Sequence, residues 1–147
     1  MPIAKLGAYV SRINRFNSAR VTRFDMLVRG NSIIAVEMAV LWNCSGPDGF
    51  VSRPVIFKYP DSTFLAAPIG TNGFFAYDGY LYGIRVQYSG RVLGPQAIGH
   101  VQLDYTSPPD SHGLATVCTT GLGNWNGSLY TNPDDFKMFG PIGVAGT

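Results

Sequence analysis

FFAYDGYLYGIRVQY, residues 74–88, is the stretch on which the reading of this chain turns. Two runs rich in aromatic and β-branched residues flank Asp78-Gly79, a pair suited to a two-residue type I′ turn. Both central positions of such a turn need positive φ, which Gly takes freely and Asp tolerates, so the sequence predicts a hairpin turning there. In the second arm Tyr80, Tyr82, Ile84, Val86 and Tyr88 share one face by alternation, with Leu81, Gly83, Arg85 and Gln87 on the other. A strand with one apolar face needs a second layer to cover it, so the hairpin implies a layered β protein.

The same period of two extends to either side. Towards the N-terminus, Thr22, Phe24, Met26 and Val28 alternate with Arg23, Asp25 and Leu27 before Gly30-Asn31 turns the chain. Residues 32–42 place Ile34, Val36, Met38, Val40 and Trp42 on one face and Ile33, Ala35, Glu37, Ala39 and Leu41 on the other. Their β-branched content and the turn cluster that follows predict a central strand rather than a buried helix. Pro54 cannot donate to a ladder and marks an edge or a strand start within residues 50–59. A short strand is expected at 64–67. Beyond the hairpin, Ser89-Gly90 predicts a further turn, residues 98–105 alternate again, and 114–120 read as a strand. Residues 121–127 are Gly-rich around Trp125, with strand-like pieces at 128–131 and 136–139.

Only the opening segment departs from this pattern. Ile3, Leu6, Val10, Ile13 and Phe16 recur at helical spacing, so residues 1–20 form a short helix or an extended arm, and residues 21–147 form a single domain. Strands with turns every eight to twelve residues predict an all-β, antiparallel β-sandwich of jelly-roll type.

Charge is distributed unevenly. Residues 1–30 carry Lys5, Arg12, Arg15, Arg20, Arg23 and Arg29 against Asp25, a balance of +5, while the rest of the chain stands at −3. A basic end on a mildly acidic body fits an arm that meets nucleic acid or an acidic neighbour, with Lys5, Arg12, Arg15, Arg20 and Arg23 as its contacts. With 46% apolar and only 14% charged residues the chain is not a disordered one, and so few charges point to a surface partly covered by partners. No apolar run is long enough for a membrane span or a signal peptide, so the expected site of synthesis and use is a cytoplasm.

Catalytic chemistry finds little material. His100 and Asp104 share one strand face but lie about 13 Å apart, too far for an acid–base pair. Cys44 and Cys118 sit in no metal-type spacing and leave a single disulfide open as a possibility. Asp104, Asp110 and Asp134-Asp135 are better read as turn-supporting carboxylates than as a Ca²⁺ site. The expectation is therefore no enzyme, no metal and no cofactor. Tyr77, Tyr80, Tyr82, Tyr88 and Trp125 remain as aromatics for a subunit interface or for stacking on sugars.

The piece GHVQLDYTSPPD, residues 99–110, resembles a shell-domain strand running into an Asp/Pro-rich loop in plant virus coats. With the basic arm and the strand series that follows it, the chain resembles the coat proteins of small icosahedral viruses. The arm is less basic than in such coats, and the piece falls later in the chain. This leaves room for a decoration protein similar to the small β-rich proteins that cement phage heads. The resemblance implies a virion structural protein assembled in a host cytoplasm. Its partners would be copies of itself, other virion proteins and, through the arm, nucleic acid. The alternative is a carbohydrate-binding β-sandwich module of tail-fibre or lectin type.

Overall fold

A computed structural model of the protein describes residues 7–10, 21–47, 49–57 and 61–130. These residues form ten strands: β1 (Gly7–Val10), β2 (Val21–Arg29), β3 (Ser32–Gly46), β4 (Gly49–Phe57), β5 (Ala67–Pro68), β6 (Phe74–Leu81), β7 (Ile84–Leu93), β8 (Gln96–Thr106), β9 (Val117–Thr119) and β10 (Gly123–Tyr130). A 3₁₀ turn at Asp61–Leu65 precedes β5. All the ladders are antiparallel. The order β10-β1-β2-β3-β9-β8 returns to β10 through a β10–β8 ladder, so six strands close a ring. From that ring β7 and β6 continue beyond β8, while β4 and β5 flank β3. The protein is thus all-β, a single antiparallel sheet curled around one core.

Alternation fills that core much as the sequence predicts. Phe24, Met26 and Val28 enter from β2, Val36, Met38, Val40 and Trp42 from β3, and Val101 and Leu103 from β8. One residue of β3 departs. Ile33, not Ile34, faces the core, because the register slips between Leu27↔Ala35 and Val28↔Ile33. A bulge of one residue reverses the facing of everything on one side of it. The second face of β2 and β3 is also closed to solvent, with Asp25, Ala35 and Glu37 fully buried. Asp25 lies opposite Glu37, and Arg23 Nε reaches Asp25 Oδ2 at 2.5 Å.

The central hairpin exists, but its turn is four residues later than expected. Tyr82 and Gly83 have φ of 55° and 77°, the two positive values a type I′ turn requires, whereas Asp78 and Gly79 lie within β6. The shift has a packing cause. The observed register sets Phe75 opposite Gly90 and Tyr77 opposite Tyr88, and lets β6 run long enough to bury Leu81 as well. It also lets Arg85 clasp Asp78 through Nε–Oδ1 (3.0 Å) and Nη2–Oδ2 (2.8 Å). Several buried side chains outweigh the ~1 kcal/mol by which Asp-Gly is the better local turn. A two-residue turn swaps parity, so Tyr80 and Tyr82 face solvent while Ile84, Val86 and Tyr88 face the core, correcting the single shared face expected for all five. A tyrosine in the left-handed region is strained, so Tyr82→Asn should stabilise the fold by about 0.5–1 kcal/mol. A higher urea midpoint would show it.

Ser89-Gly90 is likewise no turn but the middle of β7. One ladder row runs Phe75–Gly90–Gly99–Trp125 across β6, β7, β8 and β10. Both glycines are required by close approach. A Cβ on Gly99 would lie 2.0 Å from the Ser89 carbonyl oxygen, and one on Gly90 2.2 Å from that of Ile98. The bare backbone leaves room for the Phe75 and Trp125 rings, which meet at 6.1 Å between centroids. Phe24 stacks on Trp125 at 4.5 Å, and Tyr88 contacts both Phe24 and Phe75.

Several local expectations change. Residues 64–67 divide between the 3₁₀ turn and β5, and only three residues of 114–120 form a strand, β9. The Gly-rich stretch around Trp125 is part of β10, whose strand extends well before residue 128. Residues 7–10 are extended and laddered between β2 and β10 rather than helical. A helical β1 would forfeit these ladders, and an isolated helix of this length has little stability of its own. The remainder of residues 1–20 and the piece at 136–139 lie outside the described residues. Of the two readings of Pro54, the edge holds and the strand start does not: it lies inside β4, which pairs only with β3 among the described strands. Cys44 and Cys118 sit opposite each other in the β3–β9 ladder and form a disulfide.

Candidate functional site

Polar and apolar side chains alternate with the core residues along β6, β7, β8 and β10 and collect on the outer face of that sheet. Its rows can be read from the register. Phe74, Arg91, Ile98 and Asn126 form one, and Ala76, Ser89, His100 and Asn124 the next. Over these rows lies an open groove of about 650 Å³, with Phe74, Leu93 and Ile98 as exposed apolar walls. A second depression of about 460 Å³ shares Ser89 and His100 with it and extends towards Asp78, Gln87 and Gln102. Small side chains at Ala76 and Ser89, between larger ones, leave the surface hollow here.

Arg91 is the one charged side chain among the described residues lining the larger groove. It is held in two ways. Its Nε donates to the Asn72 carbonyl at 3.0 Å, and its guanidinium lies 4.7 Å over the Phe74 ring. Both contacts leave the terminal nitrogens unspent among the described residues. His100 Nδ1 lies 2.5 Å from Asn124 Oδ1. With that amide oxygen as acceptor, Nδ1 carries the proton and Nε2 is left to face outward. The nearby Asp78 carboxylate is committed to Arg85, whose hydrogen bond holds its pKa below the usual value.

The five candidate aromatics are separated by the fold. Trp125 and Tyr88 are each 2% exposed and belong to the core. The Tyr88 hydroxyl donates to the Leu65 carbonyl, and burial pushes its pKa far up. Trp125 Nε1 is buried without an acceptor among the described residues. Tyr77 is half-buried, stacked on Tyr88 at 5.3 Å, and its hydroxyl donates to the Phe64 carbonyl at 3.3 Å. Only Tyr80 and Tyr82, 70% and 67% exposed, present their rings to solvent. Of the arm cations, Lys5, Arg12, Arg15 and Arg20 lie outside the described residues. Arg23 is a β2 residue bound to Asp25.

The residues weighed for catalysis are likewise kept apart. Cys118 is in the disulfide and offers no thiol. Asp104 accepts from Gln102 at 2.9 Å, and Asp110 accepts the His112 and Leu114 backbone N–H groups, closing its own loop as a turn carboxylate does. No group of three or more metal-type side chains gathers among the described residues. Nor is any helix there long and apolar enough to cross a membrane. Neither Phe74 nor Arg91 stands out in the sequence as a site residue, because their neighbours in the groove come from strands far along the chain, Asn126 being 52 residues from Phe74 and 35 from Arg91. Comparison with protein-family models, curated proteins and solved structures finds no match to this chain.

Proposed function

We propose that this chain is a virion structural protein, a capsid or capsid-decoration subunit with a jelly-roll-like β-sandwich body that associates with copies of itself or with other virion proteins. The observation that carries the reading is the pair of hairpin tips. The β3–β4 ribbon exposes Phe50 (72%) and Val51 near its turn, and the β6–β7 hairpin exposes Tyr80 and Tyr82. Aromatic rings on projecting hairpins of a protein with few charges are the material of subunit contacts. The strained Tyr82 adds to this, since a residue kept against its backbone preference at an exposed tip fits a side chain needed for contact. The basic arm, now reduced to Lys5, Arg12, Arg15 and Arg20, would reach nucleic acid or a neighbour, and many copies would supply the affinity that one arm lacks. A virion assembled in a host cytoplasm and then released would keep the Cys44–Cys118 bridge in an oxidising medium.

Light scattering with absorbance at 260 and 280 nm tests this. Defined oligomers or particles are expected. Phe50→Ser with Tyr80→Ser should reduce them to smaller species without loss of fold. A monodisperse monomer at high concentration would rule self-association out. The arm is best tested by replacing its four cations with Gln, not by deleting residues 1–20, which would remove β1 from its ladders. The substituted protein should lose any excess 260 nm absorbance.

A further inference from the structure

We infer that the outer groove of β6, β7, β8 and β10 is a binding site for a saccharide bearing a carboxylate, with Arg91 receiving the acid group and Phe74 and Ile98 bracing the sugar ring. The charge argument comes first. Arg91 is immobilised by the Asn72 carbonyl and the Phe74 ring, yet neither contact uses its terminal nitrogens. Among the described residues, no acidic side chain lines the groove to neutralise it. A guanidinium held in place with two adjacent N–H donors free is a receptor for a planar carboxylate, and its fixed position lowers the entropy lost on binding. One cation, with no helix N-terminus beside it among the described residues, suits a monoanion better than a phosphate dianion.

The rest of the lining selects the body of the ligand. Phe74 is 57% exposed, and with Leu93 and Ile98 it offers an apolar wall to the C–H face of a pyranose. Opposite stand Ser89, Asn124, Asn126 and the free Nε2 of His100, short polar groups spaced to meet several hydroxyls. A peptide would look for backbone donors and acceptors, but the groove floor is a complete set of ladders whose backbone groups already pair with each other. Hydroxyls, which need only side chains, fit this floor. The site lies apart from Phe50, Tyr80 and Tyr82, so it stands or falls independently of the self-association proposed above.

The test is saturation-transfer NMR and calorimetric titration of the full chain with methyl glycosides of glucuronic, galacturonic and N-acetylneuraminic acid. Methyl glucoside and sodium acetate serve as controls. At least one acidic glycoside should bind on the order of tenfold more tightly than both the neutral sugar and acetate. Arg91→Gln should erase the margin over the neutral sugar, and Arg91→Lys should restore only part of it, since an ammonium lacks the fork. Phe74→Ala should weaken acidic and neutral glycosides both, the acidic ones further because it also loosens Arg91, while Tyr80→Ala, outside the groove, should leave binding unchanged. Thermal midpoints of each variant check that the fold persists. No saturable binding across the three acids up to about 20 mM, far weaker than a built site would show, would overturn the assignment. So would a preference for acids that survives Arg91→Gln, or acetate binding as well as the glycosides.

Discussion

Replacing Cys44 and Cys118 with Ser should lower the unfolding free energy by about 4 kcal/mol. The bridge joins positions 74 residues apart, and a loop of that length gives the unfolded chain much freedom that the bridge removes. Its position adds a local consequence. β9 has three residues, and its ladders to β3 and β8 link those two long strands at this end of the ring. Without the bridge, β9 is held by three residue pairs on either side and by the hydrogen bonds of its flanking residues Thr116 and Thr120 to Ser107 and Leu103. Guanidinium unfolding of the oxidised protein and of the double variant gives the global figure. Amide exchange at residues 117–119 should rise more than elsewhere. Equal midpoints for the two proteins would mean that the bridge contributes nothing to the folded state.

Trp125→Ala should cost about 4 kcal/mol, near the top of the range for truncating a buried aromatic. The cost of such a change depends on how far the surroundings can collapse into the space left behind. Here they cannot. Gly90 and Gly99, in the same ladder row as Trp125, have no side chains to fill the space, and no side chain fits there in their place. Phe24 and Phe75 would lose a stacking partner at 4.5 and 6.1 Å, respectively. Against a total stability of roughly 5–15 kcal/mol for a domain of this size, the variant should lose a quarter or more of its stability, which a lowered thermal midpoint followed by circular dichroism would register. Trp125 is therefore a poor probe of ligand binding, because it is buried and its loss would weaken the fold. A variant as stable as the parent would mean that the aromatic row is not a structural element.

How much of this was legible depended on the range over which each feature is decided. Phe24, Met26 and Val28, or Val101 and Leu103, point inward because alternation along one strand says so, and the same neighbours in sequence remain neighbours in space. A hairpin within 74–88 could be read for the same reason, but neither the place where it turns nor the extension of its second strand through Ser89-Gly90 to Leu93. Asp78-Gly79 is the better turn taken alone. Tyr82-Gly83 prevails through Phe75 over Gly90 and Trp125 over Gly99, contacts among strands whose register no local signal carries. The bulge at Ile34 escaped notice similarly, since only the pairing of β3 with β2 reveals the slip. For the site, the aromatic residues most conspicuous in the sequence went partly into the core. Phe74 and Arg91 looked ordinary until the rows of four strands brought them beside Ile98, His100 and Asn126.

By itself, then, the sequence determined the strand character of residues 21–130, the faces of the cleanly alternating strands and that Pro54 stands outside any central ladder, because each follows from the period of two and the chemistry of one residue type. The closed ring, the pairing of Cys44 with Cys118, the displaced turn and the groove with its single anchored arginine were decided by the tertiary structure. Each depends on which residues of distant strands stand opposite one another. That register is settled by the summed packing of buried side chains, a quantity spread over the whole core and present in no single segment.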